Sequence, residues 1–249
     1  MILHDFSLLS FPHPNKPDQM KRTALLISLL SLFLLTIGCT SQSPAPSSVK
    51  EPQVKLQEAP QPVQTASENH LKRAYFASGC FWCVEAIYES VRGVKESVSG
   101  YSGGHTENPT YESSNTGATG HAEAVEILYD PKVIAFSDLI DVYFGSQNVT
   151  QVNGQGPDNG SQYRSIIFYQ NQEEKDIIDA KIKALNEGLG GEKVAAEVMP
   201  FKKFWQGEDY HQNYEKLNPN HPYVRKISVP RLKRFQEKFP HLLKESSGQ

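Results

Sequence analysis

Apolar positions are unevenly spread along the 249 residues. They form one dense run near the start, thin out, and return from Leu71 onward in short periodic blocks. Those blocks predict strands at about 72–78, 93–100, 121–129, 163–170 and 193–199, and helices at about 81–91, 135–144, 171–188 and 208–217. In the fourth strand Ile166, Ile167 and Phe168 follow one another, as in a strand buried on both faces. The third helix carries Ile177, Ile178, Ile182 and Leu185 at spacings that make one apolar face. Gly188, Gly190 and Gly191 then stop it. Phe235 and Phe239, at helical spacing, suggest a last helix packed on the domain. Alternating strands and helices predict a two-layer α/β or α+β domain of roughly 170 residues. Two segments, Ser99 to Gly120 and Gln147 to Gln162, are rich in small polar residues and lack periodicity. Loops that long in a compact domain tend to carry function.

The dense apolar run, Ala24 to Ile37, is preceded directly by Lys21 and Arg22. It is short for a spanning helix, which needs roughly 20 apolar residues, and it fits a secretory signal. Its end, Leu35-Thr36-Ile37-Gly38-Cys39, resembles a bacterial lipobox, with Thr36 where such motifs usually have Leu. That resemblance implies acylation of Cys39 and a membrane-anchored lipoprotein of the cell envelope; the alternative is a plain signal cut nearby or an uncut anchor. Residues 1–19 do not resemble a signal's start, so Met20 is the expected true initiator. Residues 40–69, rich in Ser, Pro, Gln and Ala, read as a disordered, semi-stiff tether. A folded domain over 70–240 and a polar tail over 241–249 complete the expected organisation.

Net charge of -3, with 10% aromatic and 21% charged residues, describes an ordinary globular protein and gives no case for nucleic-acid binding. Three cysteines, Cys39, Cys80 and Cys83, are too few for a disulfide scaffold.

Cys80 and Cys83 lie in Gly79-Cys80-Phe81-Trp82-Cys83-Val84-Glu85, between the first predicted strand and helix. A thiol at a helix start feels unpaired N–H groups and the positive dipole end, both of which favour the thiolate. Gly79 allows a sharp turn into the helix. Cys83, three residues on, shares the helix face and is close enough for a disulfide. Redox chemistry, half of a zinc site and a structural pair all fit Cys-x-x-Cys, but no second pair of zinc ligands is present. Phe81 and Trp82 read equally as core or as a pocket for a small apolar group.

Gly79-Cys80-Phe81-Trp82 resembles the signature of the A-type peptide methionine sulfoxide reductases. Asn108-Pro109-Thr110-Tyr111, Thr119 to Val125, Asp158 to Ser165 and Glu208 to Gln212 match that family in the same order. The resemblance runs from about Tyr75 to Pro219 and implies an α+β, ferredoxin-like two-layer sandwich around a mixed sheet. It implies Cys80 as the nucleophile on the sulfoxide sulfur and Glu123 as the acid that protonates the oxygen. It further implies Tyr111 and Tyr163 as donors to that oxygen, Phe81 and Trp82 as the wall for the S-methyl group, and Asp158 as a polar lining residue. A sulfoxide sulfur is a poor electrophile until its oxygen is protonated, so Glu123 must keep its proton near neutral pH, which burial would favour. Glu126, just beyond, reads as a solvated strand residue, and His121 and His211 as structural hydrogen-bonders. The blander alternatives are a solvated Glu123 and tyrosines packed in a core.

Attack would leave a sulfenic acid on Cys80 that a nearby thiol condenses to a disulfide. Many relatives keep recycling cysteines near the C-terminus, and this chain has none after Cys83. Either Cys83 resolves Cys80 or a reductant attacks the sulfenic acid directly; the resemblance to relatives with a cysteine at this position implies Cys83, with a thioredoxin-like donor reducing the bridge. The expected enzyme is a monomer acting on free or protein-bound S-epimer methionine sulfoxide, with no metal or organic cofactor. The rival readings are an exported thioredoxin-like disulfide exchanger and a lipid-anchored binding module with a structural cysteine pair.

Overall fold

The computed structural model describes residues 60–67 and 69–245. The expected signal, Cys39 and most of the expected tether lie outside the described residues.

The chain lays down β1 (Lys72–Ser78), α1 (Phe81–Glu89), β2 (Val94–Ser102), α2 (Tyr111–Asn115), β3 (Ala122–Tyr129) and α3 (Phe136–Gly145). A small hairpin of β4 (Gly154–Gln155) and β5 (Asp158–Asn159) follows, then β6 (Ser165–Tyr169), α4 (Gln172–Gly188), β7 (Glu197–Pro200) and β8 (Phe204–Gln206). After α5 (Tyr214–Leu217), a π-helical turn at Val224–Ser228 runs directly into α6 (Val229–Lys238). Six strands form one sheet in the order β7-β6-β1-β3-β2-β8. All its pairs are antiparallel except β6 with β7, so the sheet is mixed.

Side chains of a strand alternate between faces, and here the two faces are buried differently. Phe76, Val125, Ile127 and Ile167 join Val84, Ile87 and Tyr88 of α1, Leu139 and Tyr143 of α3, Ile178 of α4 and Phe235 of α6 in the main core. The other face is a smaller cluster of Tyr75, Ala77, Ala124, Ile166 and Phe168, closed by Phe201 and Phe204. Phe76 lies at the centre of the large core, stacked on Tyr88 at 5.2 Å. α4 starts where Asn171 caps the Glu174 N–H at 2.9 Å, with Glu173 and Glu174 opposing the positive end of the dipole.

Several sequence expectations shift. The helix expected over 208–217 is two short pieces, a 3-10 turn at Asp209–His211 and α5, because Gln212 between them is extended and Asn213 takes a left-handed φ of 55°. β7 is shorter than the strand expected over 193–199, and β6 begins only after Tyr163, which belongs to a 3-10 turn at Ser161–Tyr163. The loop from Ser99 to Gly120 contains α2, and β8 pairs with β2 as an edge strand of three residues that carry no strand pattern. Glu126 is not simply solvated. It accepts the Tyr75 hydroxyl at 2.7 Å, with Arg73 3.5 Å away.

The expected domain edges move too. Val63 donates its N–H to Phe201 O at 2.7 Å, and Thr65 bonds Gln170, so the described end of the tether lies along the domain. At the other end Leu242 is buried, and Leu243 makes a bridge to Val91, placing the start of the expected polar tail inside the fold.

Phe76→Ala empties the centre of the main core. The expected loss is about 3–5 kcal/mol of unfolding free energy, read from the urea midpoint at unchanged slope.

Candidate active site

The sheet register brings distant residues to one end of the adjacent strands β6, β1 and β3. Phe76 pairs with Val125 and Ser78 pairs with Ser165. Continuing the β1–β3 register sets Glu123 beside Ser78, two residues before Cys80. By period two, Glu123 shares the face of Val125 and Ile127, the face that carries the helices. Gly79 turns the chain from β1 into α1 with φ of +84°, and a Cβ there would lie 2.5 Å from the Gln155 Cβ. Only glycine suits that turn.

Cys80 is the N-cap residue of α1 and is 7% exposed. A cavity of about 200 Å³ opens beside it, lined by Cys80, Phe81, Trp82, Tyr111, Glu123, Asp158, Tyr163, His221 and Tyr223. Every catalytic or substrate-binding residue expected from sequence except Cys83 lines this one space. Cys83, on the next turn of α1, does not line it; its sulfur neighbours that of Cys80 and meets the Ser228 hydroxyl at 3.0 Å.

Glu123 is 2% exposed, and its carboxyl oxygen accepts the Phe81 N–H at 3.0 Å. Burial pushes its pKa up to about 8, only partly offset by that hydrogen bond, while Asp158 and Cys83 push the same way. At neutral pH it therefore holds its proton. Burial likewise raises Tyr111 and Tyr163, which stay neutral hydroxyl donors. Tyr223 donates to Asp158 Oδ2 at 2.5 Å.

The thiols differ from the sequence expectation. The Cys80 sulfur accepts no backbone cap hydrogen bond, and burial, the hydrogen-bonded Cys83 sulfur and the Glu123 charge hold its thiol high. Cys83 is pulled down to about 6 by its hydrogen bond from Cys80, then by Arg231, Ser228 and Tyr223, against burial. The helix dipole is thus outweighed at Cys80 by desolvation. Of the pair, Cys83 is the thiol drawn toward the charged form, having more donors around its sulfur.

The aromatic wall is fixed from behind. Trp82 stacks on Tyr214 at 3.7 Å and donates its indole N–H to His211 Nδ1 at 3.0 Å. Phe81 and Tyr111 each lie 4.7 Å from the His211 ring. Glu208 accepts the Tyr111 N–H at 2.9 Å and the Tyr101 hydroxyl at 2.8 Å, anchoring the start of α2. Glu85, buried in α1, accepts the Asn213 N–H at 2.6 Å and the Ser99 hydroxyl, and burial pushes it up to about 7. His121 lies outside this cavity; its ring nitrogens bond Gly104 N at 3.1 Å and Thr106 O at 2.8 Å. Sequence reasoning missed Tyr223, Ser228 and Arg231. They come from a segment whose only readable signal was a packing helix, more than a hundred residues from the cysteines.

A family model described as peptide methionine sulfoxide reductase matches residues 72–243. The peptide methionine sulfoxide reductase MsrA of Pasteurella multocida (strain Pm70) is 43% identical over 173 residues, covering 70% of this chain and 99% of its own length. That of Sulfolobus acidocaldarius is 44% identical over 167 residues, covering 67% and 94%. Among solved structures, methionine sulfoxide reductase A of Corynebacterium diphtheriae aligns with a TM-score of 0.56 at 31% identity, over 65% of this chain and 84% of the other. Reduced Mxr1 from Saccharomyces cerevisiae gives 0.56 at 32% identity, over 63% and 91%. The α+β fold with its mixed sheet is shared with these structures.

Ser228→Ala removes one donor from the Cys83 sulfur. Thiolate absorbance in the wild type should titrate first near about 6, and the variant should shift that midpoint upward by about half a pH unit, the worth of one modest hydrogen bond.

Proposed function

The chain belongs to the peptide methionine sulfoxide reductase family and is an enzyme of that kind; from this premise we propose that it reduces S-epimer methionine sulfoxide, free or in proteins, with Cys80 as nucleophile, Glu123 as acid and Cys83 as resolving thiol. The observation that carries this reading is the buried Glu123 carboxyl facing the same small cavity as Cys80. A carboxyl kept protonated there can give its proton to a sulfoxide oxygen. Tyr111 and Tyr163 add preorganised donors where negative charge develops. Phe81 and Trp82 supply the apolar wall for the S-methyl group.

As Cys80 attacks the sulfoxide sulfur, its proton passes to the neighbouring Cys83 sulfur and Glu123 protonates the oxygen. Transfer of that oxygen to Cys80 leaves a thioether and a sulfenic acid, so one thiol and one sulfoxide are consumed. The Cys83 sulfur then attacks the sulfenic sulfur, the Cys80–Cys83 bridge forms, and water leaves. A thioredoxin-like dithiol takes up the bridge's oxidising equivalents by exchange and becomes a disulfide itself. Upstream, Lys21 to Cys39 supports export with a lipid on Cys39, and residues 40–69 a spacer between membrane and domain.

Glu123→Gln should lower kcat/KM for methionine sulfoxide about 10²–10⁴-fold, the usual worth of a positioned acid. In the wild type kcat/KM should fall as pH rises through about 8, where Glu123 gives up its proton, and this alkaline limb should be missing from the variant. A variant within tenfold of wild type would remove Glu123 from the reaction.

One equivalent of substrate should convert the reduced enzyme to a species lighter by two hydrogens in the mass spectrum. Cys83→Ser should release the same methionine yet retain one oxygen. Wild-type enzyme that keeps the oxygen would exclude Cys83 as the resolving thiol.

A further inference from the structure

Two cavities adjoin the thiol pair, each reaching a different sulfur. The substrate cavity contains Cys80 and not Cys83. A second, of about 620 Å³, contains Cys83 and not Cys80. Asp158 and Tyr223, hydrogen-bonded to each other, line both and form the partition between them. We propose that this second cavity is the entry port for a low-molecular-weight thiol carrying carboxylates, which reduces the Cys80–Cys83 bridge by attacking the Cys83 sulfur.

The chemistry of the walls selects the ligand. Lys226, Arg234 and Lys238 line the cavity together with the buried Arg231, and Asp158 is the sole acid among its lining residues. Asp158 is already engaged by Tyr223, and burial raises its pKa. Arg231 spends its donors on backbone oxygens, Nε to Ser146 at 2.9 Å and Nη2 to Ser78 at 3.0 Å. No ion pair to Arg231 is seen among the described residues, and its charge acts on both Asp158 and Cys83. The volume is within the range of small-ligand sites. Cys83 is only 1% exposed, so a thiol must enter the cavity to reach its sulfur, which favours a slender donor over a broad protein surface. Such a thiol would be a reductant class alongside the thioredoxin-like donor.

The step balances as thiol–disulfide exchange. The donor thiolate bonds to the Cys83 sulfur, the Cys80–Cys83 bond breaks, and Cys80 leaves as a thiolate. A second donor thiolate then attacks the donor sulfur of the mixed disulfide and releases the Cys83 thiolate, which Arg231 and Ser228 stabilise. Two thiols are oxidised to one disulfide for each bridge reduced.

This rests on the resolving role of Cys83, so the test has two stages. The full-length protein is first treated with one equivalent of methionine sulfoxide, and the bridge is verified by mass. Absence of the bridge overturns the resolving role and the port with it. The bridged enzyme is then reduced with 3-mercaptopropionate, 2-mercaptoethanol or cysteamine, with rates expressed per thiolate and corrected for thiol basicity. The anionic thiol should react about tenfold faster than the neutral one, with the cationic thiol slowest. That order should flatten in the Arg234→Gln/Lys238→Gln variant and at about 1 M salt, where charges are screened within about 3 Å. Sulfoxide turnover of the variant under saturating dithiothreitol should match wild type. A bridge reduced equally fast by all three thiols, or an anionic preference that survives in the double variant, overturns the port while leaving the resolving role intact.

Discussion

A buried carboxyl group, that of Glu123, is the constraint around which this end of the sheet is arranged. Glu123 stands at the head of a central strand, on the face otherwise given to Val125 and Ile127, where an ionised carboxylate would be costly. Its single backbone donor, Phe81 N–H, satisfies one oxygen without supplying enough stabilisation to ionise it. The same bond ties this carboxyl to Phe81, the first residue of α1, directly after Cys80. Acid and sulfur are thereby held in one frame by the β1 turn and the start of α1.

The walls of the cavity depend on a second layer of buried polar pairs. Glu208 reaches both Tyr101 in the sheet and the Tyr111 backbone, so α2 cannot drift from the sheet without losing charge-assisted bonds. His211 receives the Trp82 indole and lies against Phe81 and Tyr111. Burial lowers its pKa and keeps it neutral, as an acceptor must be. Glu85 joins α1, β2 and Asn213, the left-handed residue that leads into α5 just after the 3-10 turn carrying His211. Side chains in this layer position the reacting groups through the aromatic wall.

The two sulfurs touch across one helix turn yet have different surroundings. Cys80 faces aromatic rings and the acid; Cys83 faces Ser228, Tyr223 and the charge of Arg231. Three residues of separation on a helix give contact between the thiols and, at the same time, different surroundings.

Much of the fold was written in local pattern. Ile166 to Phe168 and the apolar face of α4 announced their elements because hydrophobic period is a nearest-neighbour property. Short pieces such as α2, β8 and the β4–β5 hairpin left no such mark, since a few residues cannot show a period and are held by pairing with remote partners. The expected helix over 208–217 failed at Asn213, whose left-handed turn is stabilised by a bond to Glu85, 128 residues away. For the site, the sequence by itself determined the residue types: the Cys-Phe-Trp-Cys segment, Glu123, Tyr111, Tyr163 and Asp158 in matching order. Only the tertiary structure decided which thiol carries the charge, because desolvation at Cys80 and the donors from Tyr223, Ser228 and Arg231 arise from chain segments that meet solely on folding. Burial and electrostatics depend on distance in space, and linear spacing along the chain does not encode it.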